Sequence, residues 1–272
     1  MTSSRILAVT FMMATAALCG MSPARSAQTT LDFESGTLSG VNISGNPPTV
    51  QSAIIRNGHY AMRTYLDRYA SRVPYRTEVS VNTPDALLNQ EYWYSFSIFL
   101  PNDYVSDPIW EIVAQWHGRA DPGEANTQPP LSIQTANGVW RIVNKWTGER
   151  ITTSSNVKNR SWNLGSYARG RWTDWVFRIK WSYGSQGILE VWQNGRKVIS
   201  ASGPNTYNDA RMPYFKMGLY KGWMSGAAAG VVSRRTLYHD TFKMVGPGGS
   251  YSAVAQTSTP TTLAAPSQFT VR

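Results

Sequence analysis

The sequence predicts an all-β protein in which two antiparallel sheets pack face to face as a jelly-roll sandwich. Short segments of alternating apolar and polar residues recur from Leu31 to Val245, with turn residues between them. Two Asn-Gly dipeptides, at 137–138 and 194–195, interrupt such segments. Asn-Gly is typical of tight β-hairpin turns, because both positions tolerate positive φ. Helical periodicity is nearly absent, so many short strands favour a sandwich over a mixed fold.

Individual strands follow from the same alternation. The segment "YWYSFSIFLP", residues 92–101, alternates aromatic with small or polar residues and stops at a proline. Residues 130–146 and 187–200 each form two short runs around Asn-Gly, which predicts two hairpins. Residues 171–182, "RWTDWVFRIKWS", alternate as well and predict a strand that contributes tryptophans to the core.

The two ends of the chain differ from the part between them. Residues 1–26 have the pattern of a signal peptide: a basic residue, an apolar stretch and small residues before the expected cleavage site. Residues 27–246 are expected to form one domain. Residues 247–272 are rich in Ser, Thr, Pro and Ala, so they are predicted to be a flexible, low-complexity tail. We therefore expect a secreted or periplasmic protein.

Cysteine content and charge narrow the classes of function. The single cysteine, Cys19, lies in the predicted leader. The mature chain is therefore expected to contain no cysteine, which excludes disulfide bonds and catalysis by a thiol. The formal net charge is +10, and loss of Arg5 and Arg25 with the leader leaves 10 − 2 = +8. A basic exported protein suggests an anionic partner: an acidic polysaccharide, a membrane surface or nucleic acid. No second apolar run is long enough to span a membrane, and we expect a monomer.

Three short motifs place polar side chains on alternate positions of predicted strands. They are "YRTEVS" at 75–80, "QWH" at 115–117 and "YFKMGLYKG" at 214–222. Residues two apart on a strand point to the same side of the sheet. If these faces line the concave side of one sheet, they form a groove that carries Arg76, Gln115, His117, Lys216 and Tyr220.

This set of side chains suits proton removal next to a carboxylate, followed by β-elimination. Arg76 and Gln115 are placed to hold a uronic acid carboxylate and to stabilise the charge that grows on it. Tyr220 or His117 would take the C5 proton and return one to the leaving O4. The sequence has no serine elbow, phosphate-binding glycine loop or His-x-x-x-His metal spacing that would point elsewhere.

The three motifs resemble the Arg-Thr/Ser-Glu-Leu, Gln-Ile/Val-His and Tyr-Phe-Lys-x-Gly-x-Tyr motifs of jelly-roll alginate lyases. The surrounding segments "WEIVAQWHG", "PPLSIQTANGVWRI", "KMGLYKGW" and "RTLYHDTFKM" resemble the glucuronan lyase and heparin lyase branch of the jelly-roll polysaccharide lyases. The resemblance covers roughly residues 30–245. Two positions depart from the alginate lyase pattern, since Gly222 replaces a glutamine and Trp116 replaces Ile or Val.

The resemblance implies a concanavalin-like sandwich and an exported lyase that cleaves a uronic-acid polysaccharide. Glucuronan is the favoured substrate, and alginate and heparin-like chains are the alternatives. Tyr220 would be the catalytic acid and base, with His117 as a second base or a neutraliser. Gln115 and Arg76 would contact the carboxylate, and Lys216 would bind substrate. Whether Tyr220 acts alone or with His117 stays open.

Further substrate contacts are expected from residues near these motifs. Trp223 is the tryptophan expected to stack on a sugar ring. The candidate cations for contact with an anionic chain are Lys145, Arg150 and Lys221.

No cofactor is expected for catalysis, but the resemblance implies a structural calcium ion. The segments "LDFESG" and "YHDTF" would be paired edge strands and would supply oxygen ligands from Asp32, Glu34 and Asp240.

Two other classes of function compete with the lyase. A lectin-like carbohydrate-binding module would use the same groove without catalysis. A sandwich glycoside hydrolase needs two facing carboxylates, and the sequence lacks the Glu-x-Asp-x-Glu and Glu-x-Asp-x-x-Glu strings. We expect no specific nucleic acid partner.

Overall fold

The structure is a computed structural model that describes residues 28–125, 127–222 and 230–256. The predicted signal peptide, Trp223 and residues 257–272 of the predicted tail lie outside these residues. The described residues contain fifteen β-strands and one short helix. The strands are β1 (Gln28–Leu31), β2 (Val41–Gly45), β3 (Thr49–Gln51), β4 (Ala61–Asp67), β5 (Arg76–Val81), β6 (Glu91–Leu100), β7 (Glu111–His117), β8 (Leu131–Ala136), β9 (Val139–Trp146), β10 (Lys158–Ser166), β11 (Arg171–Lys180), β12 (Ile188–Gln193), β13 (Arg196–Ser202), β14 (Tyr214–Lys221) and β15 (Arg234–Val245).

These strands form two antiparallel sheets. The eight-stranded sheet has the order β13-β12-β11-β6-β15-β4-β3, and β1 pairs with the C-terminal part of β15. The seven-stranded sheet has the order β10-β9-β8-β7-β14-β5-β2. Neighbours such as β14 and β5 are far apart in the chain, so the connections cross between sheets. The prediction of an all-β, two-sheet jelly-roll sandwich is confirmed.

Both Asn-Gly dipeptides form the hairpin turns that the sequence predicts. Asn137 and Gly138 have φ angles of 51° and 80° between β8 and β9. Asn194 and Gly195 have φ angles of 50° and 80° between β12 and β13. Positive φ at both positions gives the turn a twist that matches the flanking strands.

The core lies between the two sheets and is rich in aromatic side chains. Trp116 is fully buried, and its ring centroid lies 4.7 Å from that of Phe177 and 5.1 Å from that of Phe215. Because side chains alternate along β7, burial of Trp116 turns Gln115 and His117 to the opposite face. The core therefore sets which face of the seven-stranded sheet carries the polar motifs.

The C-terminal segment packs on the outer face of the eight-stranded sheet. Residues Tyr251–Val254 form the helix α1, and Ser250 caps its N-terminus. Val254 is buried beside Trp93 and Val176, and the Ser95 hydroxyl donates to the Val254 carbonyl at 2.6 Å. The prediction of a flexible tail from residue 247 is therefore wrong for residues 247–256. No helix in the described ranges is both long enough and apolar enough to cross a membrane.

Candidate active site

The three motifs occupy adjacent strands of the seven-stranded sheet. Strand β14 lies between β5 and β7, which pairs Tyr220 with Arg76 and Lys216 with Gln115. A cavity of about 600 Å³ opens on the face opposite the core. The four predicted catalytic side chains line it: Arg76, Gln115, His117 and Tyr220. The strands thus bring together residues that are more than 140 positions apart in the chain.

Tyr220 lies among aromatic rings and a cation. Its ring stacks on Trp110, with ring centroids 5.8 Å apart and ring planes at 19°. The ring of Tyr75 packs edge-on against it, with centroids 6.0 Å apart. The Arg76 guanidinium carbon lies 4.8 Å from the centroid of the Tyr220 ring. These contacts orient the phenol ring and place a positive charge beside it.

Glu78 organises the floor of the cavity from below. Its buried carboxylate accepts a hydrogen bond from Lys216 Nζ at 2.7 Å and another from the Gln115 side-chain amide. Arg76 Nε lies 3.5 Å from the same carboxylate. Lys216 is 4% exposed and does not line the cavity, which corrects its prediction as a substrate contact. A buried lysine needs such a partner because an unpaired buried charge is costly.

His117 has one ring nitrogen committed to the backbone. His117 Nδ1 lies 2.8 Å from the Gly118 carbonyl oxygen. A carbonyl can only accept, so Nδ1 carries the proton and Nε2 of the neutral ring keeps its lone pair. Burial lowers the pKa of His117 below the usual 6.5 and outweighs the hydrogen bond to Gly118, and the charges of Lys216 and Arg76 lower the pKa further. The neutral, basic form is therefore favoured.

Gly218 allows β14 to approach β5 closely. Its φ is 138°, and a Cβ at this position would lie 2.3 Å from the Thr77 carbonyl oxygen. The pairing of β14 with β7 shifts register between Met217 and Tyr220. A side chain at residue 218 would thus separate the strands that carry Arg76 and Tyr220.

Lys221 and Arg150 do not reach this cavity, which corrects both predictions. Lys221 is fully buried, and its Nζ lies 2.6 Å from a Glu111 oxygen and 3.2 Å from an Asp107 oxygen. Arg150 pairs with Asp121 and lines a separate depression. Lys145 does line the cavity, as expected.

The carboxylates of the three predicted calcium ligands accept hydrogen bonds from backbone amides. The Glu34 carboxylate accepts from the amides of residues 59 and 60, and Asp32 accepts from the Glu34 amide at 3.1 Å. Asp240 is fully buried and accepts from the amides of residues 56 and 57 at 2.7 and 3.1 Å. Throughout the described chain, no three acidic, His or Cys side chains are grouped as a metal site. The calcium ion therefore stays a prediction that rests on the resemblance.

Several residues of the cavity were not predicted from the sequence. Trp110 is 40% exposed and stacks on Tyr220, whereas the prediction for a sugar-stacking tryptophan was Trp223. Trp110 lies two residues before Ile112 and so on the same face as the cavity-lining residues of β7, and this spacing could have identified it. A side chain at Gly222 would lie 2.9 Å from the indole, so glycine at this position leaves room for Trp110. Six polar lining residues were also missed: Thr127, Gln128, Ser132, Gln134, Arg141 and Asn159.

Comparison with solved structures relates this sandwich to several proteins. The endo-β-1,4-glucuronan lyase from the fungus Trichoderma reesei is 23% identical with a TM-score of 0.68, over 83% of this chain and 100% of that one. The alginate lyase AlyC3 is 15% identical with a TM-score of 0.46, over 68% and 75% of the two chains. The binding domain of botulinum neurotoxin DC, in complex with rat synaptotagmin II, is 12% identical with a TM-score of 0.50, over 79% and 45%.

The similarity to the glucuronan lyase shows the fold, which does not by itself separate an enzyme from a binding module. A search of curated proteins found no match. The family model described as polysaccharide lyase, in contrast, matches residues 33–243. This match covers most of the chain and decides against the lectin-like and glycoside hydrolase alternatives. The chain belongs to the polysaccharide lyase family and is an enzyme of that class.

Proposed function

We propose that this enzyme cleaves a uronic-acid polysaccharide by β-elimination and that its preferred substrate is glucuronan. The observation that carries the proposal is the arrangement of Arg76, Gln115, His117 and Tyr220 around one cavity. None of the described residues that line this cavity is acidic. A hydrolytic mechanism with two carboxylates therefore has no support here, whereas elimination has its full set of groups.

Arg76 and Gln115 are the groups that would bind the carboxylate of the reacting sugar. The C5 proton becomes acidic enough to remove only when the negative charge that develops on the carboxylate is stabilised. A guanidinium and an amide that are already held in place by Glu78 supply that stabilisation without reorganising.

Tyr220 and His117 are the groups that would move protons. The base removes the C5 proton, the C4–O4 bond breaks, a C4–C5 double bond forms, and the leaving O4 receives a proton. In β-linked glucuronate the C5 proton and O4 lie on the same side of the ring, so Tyr220 can perform both transfers. For an epimer with the opposite arrangement, the lone pair on His117 Nε2 is the base across the ring.

Glucuronan is preferred among the polyuronates for two reasons. The segments around the motifs resemble the glucuronan lyase branch, and the fungal glucuronan lyase shares the fold along its whole length. Export through the predicted signal peptide is part of the same proposal, because a polysaccharide of this kind lies outside the cell.

The experiment is an absorbance assay at about 235 nm, where the unsaturated product of elimination absorbs. We expect the wild type to produce a rising signal with glucuronan. Tyr220→Phe should lower kcat by about 10²- to 10⁴-fold, the usual contribution of a general acid or base. Tyr69→Phe is the matched control, because Tyr69 is 80% exposed and lies outside the cavity, and it should match the wild type.

Two results would contradict the proposal. A flat trace with glucuronan, alginate, heparin-like and pectic chains would exclude elimination of polyuronates. A rate in Tyr220→Phe equal to that of Tyr69→Phe would remove Tyr220 from proton transfer.

A further inference from the structure

The cavity extends away from the catalytic residues, across β8 and β9 to the edge strand β10. Arg141 and Lys145 line this part of it, with Asn159 beyond them. Both cations are on β9, on the same face as Val143, which also lines the cavity. The floor between them and Tyr220 is formed by neutral side chains.

Strand register shows how the two cations are placed relative to the reacting groups. Arg141 pairs with Gln134, Gln134 with Ile112, and Ile112 with Tyr220, so Arg141 is level with Tyr220. Strand β9 is three strand positions from β14, which is about 14 Å at the usual spacing between strands. A group bound at β9 therefore belongs to a different sugar from the one held over Tyr220.

Neither Arg141 nor Lys145 forms an ion pair within the described residues, although both are half-buried. Arg141 donates to the Ser161 hydroxyl at 3.3 Å, and Lys145 donates to the Gln128 side-chain carbonyl. These partners are neutral. Burial lowers the pKa of Lys145, and the charge of Arg141 lowers it further. Two like charges in a partly desolvated groove are unfavourable, and a bound anion would relieve that cost.

We propose that Arg141 and Lys145 together bind the carboxylate of a second uronic acid, separate from the sugar that loses its proton. This inference rests on the proposed function and extends it to the class of substrate. An arginine and a lysine on either side of Val143 suit a carboxylate, because charge-assisted hydrogen bonds to it are strong. The enzyme should therefore require acidic groups that recur along the polymer, and a single uronic acid within a neutral chain should bind poorly.

The test measures binding in the Tyr220→Phe background, where the polymer stays uncleaved. Isothermal titration calorimetry with glucuronan compares Arg141→Gln/Lys145→Gln with Arg171→Gln/Arg196→Gln. Arg171 and Arg196 are exposed on the other sheet, so both double variants lose the same charge. We expect Kd to rise at least about tenfold in the first and less than about twofold in the second.

Two further measurements separate binding of the anion from loss of shape. Arg141→Lys/Lys145→Arg keeps both charges and should keep most of the affinity. Partial reduction of the glucuronan carboxylates to alcohols should weaken binding to the Tyr220→Phe protein more than binding to its Arg141→Gln/Lys145→Gln variant, because the variant has only the carboxylate contact at Arg76 and Gln115 left to lose.

The outcomes distinguish this inference from the proposed function. Equal affinity of the two Gln double variants would overturn the second carboxylate site, even if the wild type forms unsaturated product. Conversely, loss of affinity confined to Arg141→Gln/Lys145→Gln supports the site even if no unsaturated product is formed, in which case only the proposed chemistry fails.

Discussion

The two halves of the seven-stranded sheet hold positive charge in different ways. On β14, Lys216 and Lys221 are buried and paired with Glu78 and Glu111. On β9, Arg141 and Lys145 lie in the cavity with no acidic partner among the described residues. A buried cation requires a carboxylate to offset its desolvation, so its charge is already used. A cation within a catalytic motif is therefore not always available to substrate. Whether it is available depends on whether a carboxylate of the protein lies beside it.

The largest effect is expected from breaking the buried cluster at the end of β14. Glu111 is 1% exposed, pairs with Lys221 and Arg235, and accepts from Thr135 at 2.8 Å. Glu111→Gln leaves two buried cations without their main partner and should lower the free energy of unfolding by about 3–5 kcal/mol. Urea unfolding followed by tryptophan fluorescence measures it.

The control for Glu111→Gln is Asp85→Asn. Asp85 is half-exposed and pairs with Arg119 and Arg211 at the surface, so its loss should cost less than about 1 kcal/mol. An equal fall in the free energy of unfolding in the two variants would show that burial does not distinguish charges that stabilise the fold from charges that are free to bind substrate.

A smaller effect is expected when the partner under the catalytic residues is removed. In Glu78→Gln, Lys216 loses its countercharge and the Gln115 amide loses the acceptor that orients it. Misplacement of Gln115 and Arg76 should lower kcat about 10²-fold, because a shift of about 1 Å in a catalytic group has that effect. Steady-state kinetics on glucuronan measures it.

The double variant Glu78→Gln/Lys216→Met sharpens this test. Removing both charges should recover stability relative to Glu78→Gln, since no unpaired buried charge remains. Activity should stay low, because Gln115 still lacks the carboxylate. Recovery of activity together with stability would mean that Glu78 acts through folding alone.

The smallest expected effect concerns the pH profile. In the role proposed for it on uronates of the opposite epimer, His117 would act as a base in its neutral form, and the neutral fraction rises as pH rises through its pKa. Burial together with the charges of Lys216 and Arg76 lowers that pKa, so the acid limb of kcat/KM should have its midpoint below 6.5. His117→Gln should remove this limb. A limb that persists in the variant would assign it to another group.

Much of the fold could be predicted because it depends on local patterns. Asn-Gly at 137–138 and 194–195 forms the same turn wherever strands flank it, and alternation along β7 separates Trp116 from Gln115 and His117. Helix α1 was missed because its only buried residue, Val254, gains stability from a distant sheet face and not from its own composition.

The arrangement of the candidate site could be predicted in part, for the same reason. Three motifs with polar residues two positions apart predicted one shared face, and the chemistry of those residues pointed to elimination. Which lysines are available to substrate was not predictable. That depends on contacts such as Lys216 with Glu78, 138 positions away, and Lys221 with Glu111.

The primary structure alone thus determined the class of fold and pointed to the motif residues and to the type of reaction proposed, since alternation and side-chain chemistry are local properties. Folding in three dimensions settled the rest: which strands are neighbours, which charges are neutralised, and that Trp110 stacks on Tyr220. The physical reason is that desolvation and pairing of a charge depend on every group that surrounds it, and in this sheet those groups come from distant parts of the chain.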